Sequence, residues 1–298
     1  MISIPEPLRA GDRVAIVAPS SPFPRAALLA GLAWLAQRYA LVVREDLFSR
    51  DGYLAGDDER RAEETARAMR DPSVRAIFVA RGGYGATRVV SRLPWDEFAR
   101  APKWVVGFSD TTALHAFASA AGVASLHAPN VTGLGASSNA RLAQNRGALL
   151  ASLERPCDAR SYGDLRVISK GDARGPLFGG NLALLHALAA ANALDVPDGA
   201  IVMLEDVTER PYRVDRMLTS LLEGDHFARA SAIVFGDFAE CAPGPDGVTV
   251  ERVIEERTAR LGIPVYRGAP FGHGARNEAF TMGATATLAR GVLSWSAP

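Results

Sequence analysis

Cysteine is scarce in this chain, with two in 298 residues, Cys157 and Cys241. Two cysteines make no disulfide framework, and these lack the spacing of metal ligands. A reducing compartment fits, with each thiol a small buried or half-exposed residue. Net charge is absent as well, since 33 Lys and Arg balance 33 Asp and Glu. A neutral balance leaves no electrostatic footprint for nucleic acid or an anionic membrane, although a local basic pocket stays compatible with it. No apolar run reaches the roughly 20 residues of a membrane span. The opening residues lack the basic stretch and following apolar stretch of a secretion signal. Neither G-x-G-x-x-G nor G-x-x-x-x-G-K-[ST] occurs, which disfavours a nicotinamide-dependent oxidoreductase and a P-loop enzyme. These absences predict a cytoplasmic protein with no nucleic-acid or membrane partner.

What is present alternates between strand and helix. The length suggests two domains at about 150 residues each. Val14–Ala18 is a short β-branched apolar run ending in Pro19-Ser20-Ser21-Pro22, a buried strand and its loop. A helical Arg25–Tyr39, a strand at Leu41–Val43, and an Asp57–Met69 helix follow. The last has acids first and arginines throughout, which suits an exposed helix complementing its dipole. Ala76–Ala80, Trp104–Val106 and Ala124–His127 read as further strands, the last closing the set. Strands alternating with helices predict a parallel sheet, with sites beyond the carboxyl ends of its strands. Four loops qualify: Pro19–Pro22, Arg81–Gly85, Gly107–Asp110 and His127–Asn130. The irregular segment 156–174 reads as a linker between an N-terminal domain, 1–155, and a C-terminal domain, 175–298. The second domain offers strands at Ala200–Leu204, Ala232–Phe238 and Pro264–Tyr266 among helices.

The most informative stretch is Trp104-Val105-Val106-Gly107-Phe108-Ser109-Asp110-Thr111-Thr112. An apolar run, a small residue, a serine and a helix start have the layout of a nucleophile elbow. The same residues fit a second reading, in which Ser109 or Asp110 is the N-cap of a helix over Thr112–Ala121. Arg81-Gly82-Gly83-Tyr84-Gly85 follows a strand, so its backbone N–H groups could approach an anion closely or simply make a tight turn. Glu205, read at a strand end, could orient a histidine or be a solvated acid. His273 lies between Gly272 and Gly274 in a flexible, tightly turning loop, as a base or as an exposed loop residue. His115 and His186 read as packing residues, His226 as part of a charged turn, and His127 as lining the cleft without catalysis. The chain order Ser, acid, His is that of α/β-hydrolase triads.

Together these motifs resemble the LD-carboxypeptidase family of serine peptidases, which includes muramoyltetrapeptide carboxypeptidases and microcin-immunity peptidases. The likeness runs through Gly11–Pro22, Arg81–Gly85, Gly107–Thr111, Gly179–Leu182, Leu204–Asp206 with Pro211–Leu218, and Gly272–Gly274. One departure follows His127, where this chain has Ala128-Pro129-Asn130 in place of the family's frequent Gly-Pro. The resemblance implies an α/β protein with a Rossmann-like N-terminal domain carrying the serine. A mixed α/β C-terminal domain would supply the acid and the histidine. It implies Ser109 as nucleophile, His273 as base and then acid, and Glu205 as orienting carboxylate. Backbone N–H groups of Asp110 and Gly82 or Gly83 would form the oxyanion hole, with Arg81 and Tyr84 binding substrate. The expected substrate is a murein tetrapeptide ending in D-alanine, in cell-wall recycling. No cofactor or metal is expected, and the protein would be a homodimer. Two alternatives stand beside this. One is an immunity-type peptidase cleaving a peptide–nucleotide amide, which an aromatic residue stacking on the base would favour; Trp295 and Phe280 are the aromatics available, and the sequence does not place them. The other is a non-catalytic two-domain ligand-binding protein.

Overall fold

The computed structural model describes residues 2–135 and 140–296. Residues 1 and 297–298, the outer ends of the two domains read from sequence, lie outside the described residues. The chain divides into two compact units, Met1–Pro156 with Glu278–Thr281, and Cys157–Asn277 with Met282–Pro298.

In the first unit, β1 (Arg13–Val17), β2 (Ala40–Val43), β3 (Val74–Val79), β4 (Trp104–Gly107) and β5 (Ser125–His127) form a parallel sheet. The centre of that sheet is buried on both faces, which is why its strands are unbroken apolar runs. Val14, Ile16, Phe78, Trp104, Val106 and Leu126 belong to its core, with Leu28 and Leu35 of the helix Arg25–Leu35 packed on them. The helix Asp58–Arg70 begins at Asp57, whose side chain accepts the Arg60 N–H at 2.8 Å, and ends with Arg67 and Arg70. Cap and charges both satisfy the helix ends. The expectation of an exposed helix fails on one face, where Arg61 and Glu64 are buried. Arg61 tolerates burial because its guanidinium donates to the carbonyls of Pro19, Gly56 and Gly85 and pairs with Asp58.

The second unit is built on a mixed sheet. Its strands are β6 (Arg160–Tyr162), β7 (Arg166–Ser169), β8 (Ala173–Asn181), β9 (Ile201–Val207), β10 (Ala232–Ala239) and β11 (Val265–Arg267). After β12 (Phe280–Met282), β13 (Thr285–Ala289) and β14 (Val292–Ser296) complete it. The order is β6-β14-β13-β8-β9-β10-β11-β7, parallel from β8 to β11 and antiparallel toward both edges. The segment 156–174, read as a linker, carries β6 and β7. Its irregular composition reflects short edge strands, of which β7 is half exposed.

Two sequence expectations change here. Ala124–His127 is not the last strand of the first sheet, because β12 adds beside β5 to give the order β12-β5-β4-β3-β1-β2. Phe280 explains the addition: it is fully buried and stacks on the His127 ring at 4.7 Å between centroids. Second, Glu205 does not end its strand. β9 continues through Glu205 and Asp206 to Val207, and Glu205 pairs in register with Asn181 of β8. Removing the Phe280 ring should therefore leave a cavity under the sheet edge. Urea unfolding of Phe280→Ala is expected to show a loss of about 3–5 kcal/mol; an unchanged midpoint would mean that the ring adds nothing to the unit.

Candidate active site

Each unit gathers part of the expected chemistry. In the first unit the post-strand loops interlock. Ser21 N–H donates to the Gly82 carbonyl at 3.3 Å, and the Ser21 Oγ accepts the Tyr84 N–H at 3.1 Å. Asn130 accepts the Phe108 N–H at 3.2 Å and donates to the Phe108 carbonyl at 3.4 Å. The four loops singled out by position beyond the strands are thus tied in pairs, Pro19–Pro22 to Arg81–Gly85 and His127–Asn130 to the elbow.

Ser109 follows β4 directly and sits at φ 64°, in the left-handed region that a side chain rarely adopts. It opens a single turn of 3-10 helix, Ser109–Thr111, which runs into the helix Thr112–Ala120. The residue is partly exposed. This is the sharp strand-to-helix turn of an elbow. The N-cap reading fails, since neither Ser109 nor Asp110 caps the helix. Thr111 is the N-cap residue, with no side-chain cap, and the Asp110 carboxylate instead accepts the Ala86 N–H at 2.8 Å. Asp110 is fully buried. Burial raises its carboxyl above the usual range, against the Ser20 hydroxyl, the Ala86 N–H and the Arg61 charge.

Gly82 touches the elbow directly. A Cβ there would lie 2.8 Å from the Ser109 Cβ and 3.3 Å from the Asp110 nitrogen, so only glycine lets the loop approach this far. Behind the elbow, the buried His115 ring spans two groups. Its Nε2 lies 2.9 Å from the Gly107 carbonyl and its Nδ1 2.8 Å from the Ser125 Oγ. Burial pushes its pKa down to about 4, so the ring stays neutral, donating from Nε2 to Gly107 and accepting from Ser125. Arg81 is exposed and donates to the Pro22 carbonyl. Tyr84 is exposed too, its ring 6.0 Å from that of Tyr53. His127, expected to line a cleft, is fully buried against Phe280. Phe280 and Trp295 are likewise buried, so neither presents a face for a base.

In the second unit, His273 Nδ1 lies 2.7 Å from Glu205 Oε2. Glu205 is fully buried, and the Asn181 amide donates to its other oxygen at 3.3 Å. The same amide donates to Asp206 Oδ1 at 3.0 Å, while Asn181 Oδ1 accepts the Leu184 N–H at 3.2 Å and caps the helix Leu182–Ala190. Burial, and then the charge of Glu205, raise Asp206 to about 6. The histidine loop is not loose, as its glycines suggest from sequence. Gly272, at φ 121°, donates its N–H to Asn277 at 3.3 Å, and a Cβ there would lie 2.9 Å from Glu205 Oε2. The glycine admits the carboxylate.

Burial disfavours a charged His273, but the hydrogen bond and charge of Glu205, with Asp206 behind, outweigh it and raise the ring above 6.5. Glu205 fixes the proton on Nδ1 and leaves the lone pair on Nε2, the form a general base needs. Asn130, Asp206 and the Asp110 side chain were not legible as site residues. The one local hint was Asn181, an N-cap type before an apolar run. If Glu205 holds the imidazolium, NMR titration of His273 should move to lower pH in Glu205→Gln, because burial is then opposed only by the more distant charge of Asp206. An unchanged titration would contradict the pairing.

An elbow serine under a glycine loop, with a carboxylate–histidine pair, places the chain among α/β enzymes of the hydrolase class. Comparison with known proteins makes this specific. Residues 14–128 match the family model of the LD-carboxypeptidase N-terminal domain, and residues 174–288 that of the LD-carboxypeptidase C-terminal domain. The chain belongs to the LD-carboxypeptidase family of serine peptidases. It is 35% identical over 292 residues to the murein tetrapeptide carboxypeptidase of Pseudomonas aeruginosa, covering 95% of each chain. It is 31% identical over 290 residues to a probable murein peptide carboxypeptidase of Bacillus subtilis, covering 95% of this chain and 91% of the relative. The crystal structure of muramoyltetrapeptide carboxypeptidase from Oxalobacter formigenes superposes with a TM-score of 0.84 at 27% identity, covering 95% and 97%. The immunity protein MccF with glutamyl sulfamoyl guanosine reaches 0.89 at 20% identity over 98% of each chain, a likeness of fold. No helix of the described residues is long and apolar enough to cross a membrane.

Proposed function

We propose that the protein hydrolyses the L,D amide bond of murein tetrapeptides and releases the terminal D-alanine. In this reading Ser109 is the nucleophile, His273 the general base and then acid, and Glu205 the carboxylate that orients the imidazole. The observation that carries it is Ser109 itself, a partly exposed serine at φ 64° after a parallel strand, with the glycine loop against it. Relatives at 35% and 31% identity carry murein peptide carboxypeptidase names, which supports the substrate class.

His273 Nε2 takes the Ser109 proton as Oγ attacks the scissile carbonyl. The carbonyl oxygen gains the negative charge, held by backbone N–H groups of Asp110 and of Gly82 or Gly83. One well-aimed donor of this kind is worth about 3–4 kcal/mol. His273 then gives the proton to the leaving amine, D-alanine departs, and an acyl-Ser109 ester remains. Water, deprotonated by the same ring, attacks the ester and frees Ser109. Glu205 stabilises the imidazolium in both halves. A carboxypeptidase must also bind a free carboxylate, and a guanidinium fork suits it, so Arg81 is assigned there with Tyr84 beside it. Action in the cytoplasm, in the recycling of wall fragments, and as a homodimer completes the proposal on the strength of the family likeness.

The test is mass spectrometry of a murein tetrapeptide incubated with the protein. Wild type is expected to release D-alanine, and Ser109→Ala to lose about a million-fold in kcat, as when a serine protease loses its nucleophile. Wild-type rates in Ser109→Ala would refute the assignment, and no release by wild type would refute the substrate.

A further inference from the structure

The peptide group joining Gly85 to Ala86 is gripped from both sides. Its carbonyl accepts from Arg61 Nη1 at 2.8 Å, and its N–H donates to Asp110 Oδ2 at 2.8 Å. Both side chains are fully buried. Arg61 also donates to the Pro19 carbonyl, so one guanidinium ties two of the loops beyond the strands. Asp110 is the residue after Ser109, so its carboxylate ties the glycine loop to the elbow, and Gly82 touches the elbow at a second point. The helix Ala86–Val89 has no side-chain cap of its own. A peptide plane held by a cation at its oxygen and an anion at its N–H cannot rotate without breaking two charge-assisted bonds. Gly83 and Gly85, at φ 104° and 136°, give the loop no stiffness of its own.

We propose that Asp110 and Arg61 form a clamp on the Gly85–Ala86 peptide, and that this clamp sets the position of the Gly82–Gly83 backbone donors relative to Ser109. Asp110 thereby acts twice, through its backbone N–H as an oxyanion donor and through its side chain as a positioning group. The inference rests on the reading of Ser109 as nucleophile. It requires no substrate contact by either side chain. Displacing the loop by a fraction of an ångström weakens the donors in the transition state more than it weakens ground-state binding.

The experiment measures kcat and KM for D-alanine release by Asp110→Ala, Asp110→Asn and Arg61→Gln. Circular dichroism and thermal unfolding of the same samples check the fold. Asp110→Ala is expected to lower kcat about 100-fold, the scale of a misplaced catalytic geometry, with KM little changed. Asp110→Asn keeps a neutral acceptor for Ala86 and should recover most of that loss, since such a bond keeps roughly half the strength of a charged one. Arg61→Gln, acting on the other side of the same peptide, should show the same kcat-weighted loss. The proposal is overturned if folded Asp110→Ala keeps wild-type kcat, if the loss lies in KM, or if Asp110→Asn is as impaired as Asp110→Ala. Should Asp110→Ala not fold, Asp110→Asn and Arg61→Gln decide, with wild-type kcat in both overturning it. Ser109→Ala run in parallel separates the two readings. Wild-type activity there refutes the nucleophile, whereas inactivity there with wild-type kcat in the clamp variants refutes the clamp alone.

Discussion

A side chain held at positive φ costs roughly 1–3 kcal/mol, and such a residue persists only where its surroundings over-determine it. Ser109 is in that position, and the first unit is arranged to keep it there. β4 delivers the chain to Gly107, His115 holds the Gly107 carbonyl, and Asn130 holds both backbone groups of Phe108. Asp110 then anchors the exit of the turn to Ala86. Each anchor comes from a different element, so the turn is fixed by tertiary structure rather than by local preference. The helix after it has no side-chain cap, which is consistent with a turn shaped to present Ser109.

The second unit solves a different problem, the burial of carboxylates. Glu205 and Asp206 lie inside β9, where an isolated charge would be costly. Asn181 donates to both, the N–H groups of Ala183 and Val207 hold Asp206, and His273 meets Glu205. The result is a histidine whose proton affinity is raised by a carboxylate that water does not reach. His115 in the first unit shows the opposite outcome: with no carboxylate beside it, burial drives its pKa down to about 4. The environment, not the residue type, separates a structural imidazole from one suited to proton transfer.

Much of this was legible in the sequence, and the reason differs by element. The central strands of the first sheet are buried on both faces, so VAIVA and WVVG stand out as apolar runs. β12 is three residues long and joins a sheet whose other strands end far earlier in the chain, so no local pattern reveals it. β13 alternates exposed and buried positions, as a strand with one face toward solvent should, but over only five residues. Among the site residues, Ser109 and His273 were marked by their neighbours and Glu205 by a long likeness. The Asp110 side chain was not, because its partner Ala86 is a backbone group 24 positions away. The glycines around His273 suggest flexibility in the sequence, whereas in the structure Gly272 marks close approach to a carboxylate that only the fold supplies. The buried face of the Asp58–Arg70 helix holds the same lesson, since Arg61 is buried by carbonyls from three separate loops.

The central claim is that Ser109 is an activated nucleophile, and reaction with a fluorophosphonate probe tests it most directly. Peptide mapping of the labelled wild-type protein should place one adduct on Ser109, and labelling should slow sharply in His273→Ala. Absence of an adduct on Ser109, or labelling that proceeds unchanged without His273, would contradict the account.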